Sequence, residues 1–130
     1  MSDMNPQKTR QGRPKLLGMA HFFRAFSWSI KGFKSAFKGE AAFRHELFLV
    51  AVLAPIGCWL GDSNVERALL VGSAITILIV ELINTAIESA IDRVGPEYHV
   101  LSGRAKDVGS ASVFLTICLV VVVWGLILLG

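Results

Sequence analysis

Apolar residues along this chain gather in long blocks instead of alternating with polar ones. Leu47 to Leu60 is the shortest block, Ala68 to Ile91 is longer, and Val108 to Leu129 is almost purely apolar. A helix needs about 20 residues to cross the hydrocarbon of a bilayer. The two later blocks reach that length alone, and the first reaches it with its flanks. The pattern predicts transmembrane helices over 45–61, 68–91 and 108–129. Upstream, at 100° per residue, Met19, Phe22, Phe23, Phe26, Ile30, Phe33 and Phe37 share one stripe, with Arg24, Lys31, Lys34 and Lys38 off it. An apolar stripe with basic flanks lies in the membrane interface, so 19–38 is predicted as an interfacial amphipathic helix. His21 and Trp28 lie seven residues apart on the opposite face. Trp28 reads either as a headgroup-level anchor or as an aromatic plate facing a partner such as a nucleotide base.

The connections follow from composition. Gly61 to Asn64 is a turn, and Val94 to Ser110 is the longest polar stretch after the tail, with Pro96 restarting the chain and Ser102-Gly103 marking another turn. Residues 1–18 mix Pro, Gly and Gln with basic residues and read as a disordered basic tail that touches anionic headgroups. They lack the apolar core and cleavage site of a signal peptide. The expected organisation is this tail followed by one membrane domain over 19–130, and the fold class is an all-α membrane protein.

Bulk numbers agree with that reading: 53% of the 130 residues are hydrophobic. The net charge of +3 matters less than where it sits. Lys8, Arg10, Arg13, Lys15, Arg24, Lys31, Lys34, Lys38 and Arg44 precede the first span, and Arg93, Arg104 and Lys106 lie in the stretch Asp92 to Asp107. The positive-inside rule places the N-terminus and that second loop in the cytoplasm, and the first loop and C-terminus on the opposite side. Cys58 and Cys118 sit in apolar blocks without disulfide or metal spacing and read as packing residues. His21, His45 and His99 show no zinc-type spacing. There is no Walker-type phosphate loop and no kinase-type glycine-rich loop, so any phosphoryl transfer uses another scaffold. No nucleic-acid partner is expected.

One helix interrupts the apolar pattern. Glu81, Asn84, Glu88 and Asp92 stand at offsets 0, 3, 7 and 11, which at helical periodicity fall within a wedge of about 60° to 80°. A carboxylate near the bilayer centre costs on the order of 3 kcal/mol. The stripe must therefore face protein, a cavity or a cation. Three helices make a thin wall around it, so association into a homo-oligomer with the stripe at a subunit interface is expected. A polar seam gluing helices together is the simplest alternative, and Asn84 alone fits it. Two acids on one face do not, because like charges repel unless a cation, a proton or a basic partner intervenes. The rise along a helix puts Glu88 about 10 Å nearer the cytoplasm than Glu81, so Glu88 can meet a water-borne ligand and Glu81 one that arrives through lipid. The second loop adds Lys106, Arg104, His99, Tyr98, Glu97 and Asp107 beside Glu88. Cationic groups next to carboxylates at a water–lipid boundary suit a polyphosphate carrying Mg²⁺, which takes oxygen ligands from one or two carboxylates plus phosphate.

The stretches "EAAFRHE", Glu40 to Glu46, and "VELINTAIESAIDRVGPEYHVLSGRAKDVGSA", Val80 to Ala111, together with the three-span layout, resemble the bacterial integral-membrane diacylglycerol kinases. The related undecaprenol kinases share the core motifs, and "GPEYHVLSGRAKDVGS" favours the diacylglycerol branch. The resemblance implies a homotrimer of the bacterial inner membrane, with sites at subunit boundaries and transfer of the γ-phosphoryl group of MgATP to the lipid hydroxyl, giving phosphatidic acid. By position it implies Glu40 and Glu88 as metal ligands, Glu81 as the base and Asn84 as its positioning neighbour. His21, Trp28, Glu40, Glu88, Glu97, Tyr98, His99, Lys106 and Asp107 match nucleotide-contacting positions, and Arg44, Glu46, Glu81, Ser110 and Trp124 match the lipid site. Two departures are visible: the family usually has arginine at His21 and tyrosine at Trp28. A small proton-coupled transporter also buries a carboxylate, but has little use for the dense cluster around Lys106.

Overall fold

The computed structural model describes residues 18–130, so all of the predicted tail except Gly18 lies outside the described residues. Four helices follow one another: α1 (Met19–Gly39), α2 (Ala41–Leu60), α3 (Asn64–Val94) and α4 (Val100–Leu129), with no strand among the described residues. The all-α class is borne out. Helices α2, α3 and α4, of 20, 31 and 30 residues, are each long and apolar enough to cross a membrane.

The helices run further than hydropathy predicts, because hydropathy marks only the part that matches lipid. α3 starts before Ala68: Ser63 Oγ accepts from the Glu66 amide at 3.1 Å, and Glu66 Oε2 accepts from the Asp62 amide at 2.7 Å. This satisfies amide donors that a helix start otherwise leaves orphaned. The largest correction concerns the second connection. It is only the five residues Gly95 to His99, and the turn expected at Ser102-Gly103 is helical. Gly95 ends α3 at φ 135°, where a side chain would be strained. His99 opens α4 by accepting the Leu101 amide on Nδ1 at 3.1 Å. Lys106, Asp107 and Ser110 therefore stand on the first turns of α4, at fixed register, rather than on a loop.

The chain divides into a short unit ending at Ser35 and a larger one, Ala36–Gly130. In the first, the phenylalanine stripe of α1 is solvent-exposed, with Phe22, Phe23 and Phe26 each about 60% accessible. In the second, α3 packs against both α2 and α4. Val50, Ala74, Ile77 and Val120 form its buried core, with Leu53, Leu78 and Trp124 against them. The Trp124 indole donates to the Leu70 carbonyl at 3.1 Å, which ties α4 to α3 near the start of α3.

Candidate functional site

The acidic stripe of α3 lies inside the larger unit. Glu81 is 4% exposed and Asn84 8%, while Glu88 is half-buried and Asp92 exposed. Burial therefore falls along the stripe from Glu81 to Asp92. A single chain buries Glu81 and Asn84 by packing α2 and α4 against α3, more than the thin wall expected of three helices, and leaves the Glu88 and Asp92 end of the stripe open.

Each neighbouring element brings a polar group to the stripe. From α2, Glu46 reaches Glu81, and the two carboxyl groups interact directly. Two carboxylates can only accept, so Glu46 Oε2 is left buried without a donor, whereas a proton on either group turns the contact into a hydrogen bond. Glu40 is the residue between α1 and α2. It takes an extended N-cap conformation, its carboxylate makes no capping bond, and it lies within electrostatic reach of Glu81, as does Glu88. Asn84 donates from Nδ2 to Glu88 Oε1 at 3.4 Å. From α4, Lys106 pairs with Asp92 at 2.8 Å and stays within reach of Glu88. Five acids, an amide and a lysine thus gather along about three turns of α3.

Beside them, at the α3–α4 turn, is a cleft of about 640 Å³ lined by Asp92, Glu97, Tyr98, His99 and Lys106, among others. That volume lies in the usual range for small-molecule sites. The Tyr98 ring lies over Gly103, where an added methyl would be 3.5 Å from it. Lys106 and Asp92 are both largely exposed, so water screens their pairing and leaves it weak, and the lysine can leave Asp92 for a phosphate at little cost.

Other expected residues stand elsewhere. Arg44 donates to the Phe37 and Lys38 carbonyls at 2.7 and 3.3 Å, closing the end of α1. Asp107 and Ser110 are exposed on α4 and do not line the cleft. Trp124 is bonded to Leu70, eleven residues before Glu81, or about 16 Å along α3, so it does not join the acids. His21 is exposed and Trp28 half-buried on α1, in the first unit. Two residues outside the expected site do take part. Asp92, visible as the end of the stripe, anchors Lys106, and Gly109 lies against Asn84. The signal for Gly109 was available in the run of small residues Gly109 to Ser112, of the kind that lets helix backbones approach closely.

The donor set decides what ion fits. Among the described residues, no group of three or more His, Cys, Asp or Glu side chains is placed to hold a metal by itself. Glu40 and Glu88 offer oxygen only. That suits a hard cation which keeps water and takes its remaining ligands from a phosphate, as Mg²⁺ does.

The family model described as prokaryotic diacylglycerol kinase matches residues 27–128. The chain is 48% identical over 114 residues to the diacylglycerol kinase of Haemophilus influenzae, covering 88% of this chain and 97% of the relative. It is 46% identical over 113 residues to that of Pseudomonas aeruginosa, covering 87% and 92%. With that of Escherichia coli K12 the identity is 44% over 111 residues, covering 85% and 91%.

Proposed function

The chain belongs to the prokaryotic diacylglycerol kinase family, and from that premise we propose that it moves the γ-phosphoryl group of MgATP to the hydroxyl of diacylglycerol, giving phosphatidic acid. It is an ATP-dependent lipid kinase, and neither the transporter nor the undecaprenol reading is favoured. The observation that carries the reaction is the graded acidic stripe. A buried carboxylate at Glu81 stands on the same helix face as a half-buried one at Glu88, which lies within electrostatic reach of Lys106 in the cleft.

In this reading the polyphosphate of ATP lies in the cleft at the α3–α4 turn, with Lys106 turned from Asp92 to a phosphate oxygen. The diacylglycerol hydroxyl reaches Glu81 from the bilayer. Glu81 takes the hydroxyl proton, the lipid oxygen forms its bond to the γ-phosphorus, and the bond from that phosphorus to the ADP oxygen breaks in line. Glu40 and Glu88 would hold Mg²⁺, which supplies charge neutralisation on the phosphates. Asn84 steadies Glu88 through its amide, and Glu46 holds the other side of Glu81. Protein groups mainly position and neutralise in such a reaction, and a site closed to water makes each ionic contact stronger. His21 and Trp28 are proposed to meet the nucleotide, Trp28 by stacking. Glu97, Tyr98, His99 and Asp107 are assigned to the nucleotide side, and Arg44, Glu46, Ser110 and Trp124 to the lipid side.

The placement proposed is the bacterial inner membrane, with the N-terminus and the α3–α4 turn cytoplasmic and α1 in the interface. The chain is proposed to act as a homotrimer, a neighbouring copy completing the open side of each cleft.

The test is transfer of labelled phosphate from ATP to lipid in detergent micelles, with diacylglycerol and undecaprenol side by side. Labelling of diacylglycerol is expected. Labelling of undecaprenol alone, or of neither lipid, would reject the assignment. In the same assay Lys106→Leu should raise KM for ATP about tenfold or more, the worth of one charge-assisted hydrogen bond, while KM for diacylglycerol stays near the wild-type value. Equal increases in both constants would remove Lys106 from the nucleotide side.

A further inference from the structure

The Asn84 carboxamide has two ends in different surroundings. Its amide end donates to Glu88 Oε1. A carboxylate only accepts, so this orientation is required by the chemistry, and the carbonyl must point the other way. That carbonyl oxygen, Oδ1, is buried without a hydrogen-bond donor, and it lies against Gly109 of α4, where a methyl group would overlap it.

Gly109 is itself buried in the interior of α4. Glycine is the poorest helix former after proline, so a glycine there needs a local reason. Backbone conformation does not supply one, because among the described residues only Gly18 and Gly95 have positive φ. Nor does every helical glycine face an obstacle: methyl groups at Gly72 or Gly125 would meet open space. At Gly109 the close neighbours are Asn84 Oδ1 and Cγ alone. Oδ1, the nearer, is the far end of a side chain, not backbone. An added methyl therefore need not push α3 and α4 apart. The carboxamide can swing aside, and in doing so it leaves Glu88.

We propose that Gly109 is a positioning residue for phosphoryl transfer: having no side chain, it lets Asn84 hold its amide against Glu88, and through Asn84 it sets where the Glu88 carboxylate sits. This rests on the kinase reading of the same site. Gly109 touches no reacting atom and acts only through its neighbour.

The experiment uses the full chain in detergent micelles. Gly109→Ala is expected to lower kcat on the order of a hundredfold, the cost that a displacement of about 1 Å at a reaction centre can carry, with KM for ATP near the wild-type value and thermal unfolding little changed. A second readout does not depend on activity. The chain has three asparagines, Asn5, Asn64 and Asn84, so ¹⁵N-asparagine labelling gives three side-chain amide signals by NMR, and Asn84→Ala identifies one by its loss. In Gly109→Ala the Asn84 signal should move and the other two should not. Full turnover overturns the proposal, and so does an unmoved Asn84 signal. A Gly109→Ala chain that fails to fold also overturns it, because rotation of Asn84 is held to absorb the methyl. A wild-type chain that phosphorylates no lipid counts against the kinase reading, and the amide signals then decide the role of Gly109 on their own.

Discussion

Glu88→Gln should reduce lipid phosphorylation on the order of a thousandfold or more, about 4 kcal/mol of transition-state stabilisation, and should do so without destabilising the protein. The substitution keeps the shape of the side chain and an oxygen that can still accept from Asn84. It removes a charge that Glu81, on the same helix face, experiences as repulsion. It also gives up an attraction to Lys106, but that lysine is exposed and water screens the loss. Turnover should therefore collapse while the midpoint of thermal unfolding holds or rises. The residual rate should demand more Mg²⁺ than the wild-type rate does. Two measurements separate the roles: a Mg²⁺ titration of kcat, and unfolding followed by circular dichroism. Retained turnover removes Glu88 from the metal assignment. Lost turnover with a large fall in unfolding temperature makes it a structural residue.

Glu81→Gln should cost between about a hundredfold and ten-thousandfold in kcat, the range spanned by a positioned general base, with both KM values close to wild type. Glutamine is nearly isosteric and fits the space beside Glu46, but it cannot take a proton from the lipid hydroxyl. The wild-type rate should fall on acidification as the base is protonated, and that limb of the pH–rate profile should be missing in the variant. The repulsion argument applies here too, since Glu40 and Glu88 both lie within electrostatic reach of Glu81, so the variant should unfold no earlier than the wild type. An identical pH–rate profile in the two proteins would assign proton removal to another group, and Glu46, in contact with Glu81, would be the first to replace next.

Much of the membrane architecture was legible before any coordinates. Block length announced three spans, and the phenylalanine stripe announced α1. The register of Glu81, Asn84, Glu88 and Asp92 was legible as well, because 3.6 residues per turn is a local rule and any residues obeying it share a face whatever surrounds the helix. The polar stretch after Val94 was misjudged for an equally physical reason. Ser102 to Asp107 are polar, and polarity in a chain of apolar blocks imitates a loop. Once Gly95 has ended α3 and His99 has capped α4, those residues continue a helix that extends past the apolar block. The correction matters to the site, since a helix holds Lys106 at a defined height opposite Asp92 whereas a loop would not.

Periodicity and hydropathy are properties of one strand of chain, and on their own they gave the number of helices and the apolar part of each, and which face of α3 carries the acids. Contacts between helices depend on how each is rotated and offset against its neighbour, and one-dimensional patterns do not encode either quantity. Only the packed structure could decide that Glu46 meets Glu81, that Trp124 bonds Leu70 far from the acids, and that the Asn84 carbonyl rests on Gly109. It also decided that one chain can seal Glu81 from water, because two long helices pressed against a third exclude solvent from the shared face whether or not another copy is near.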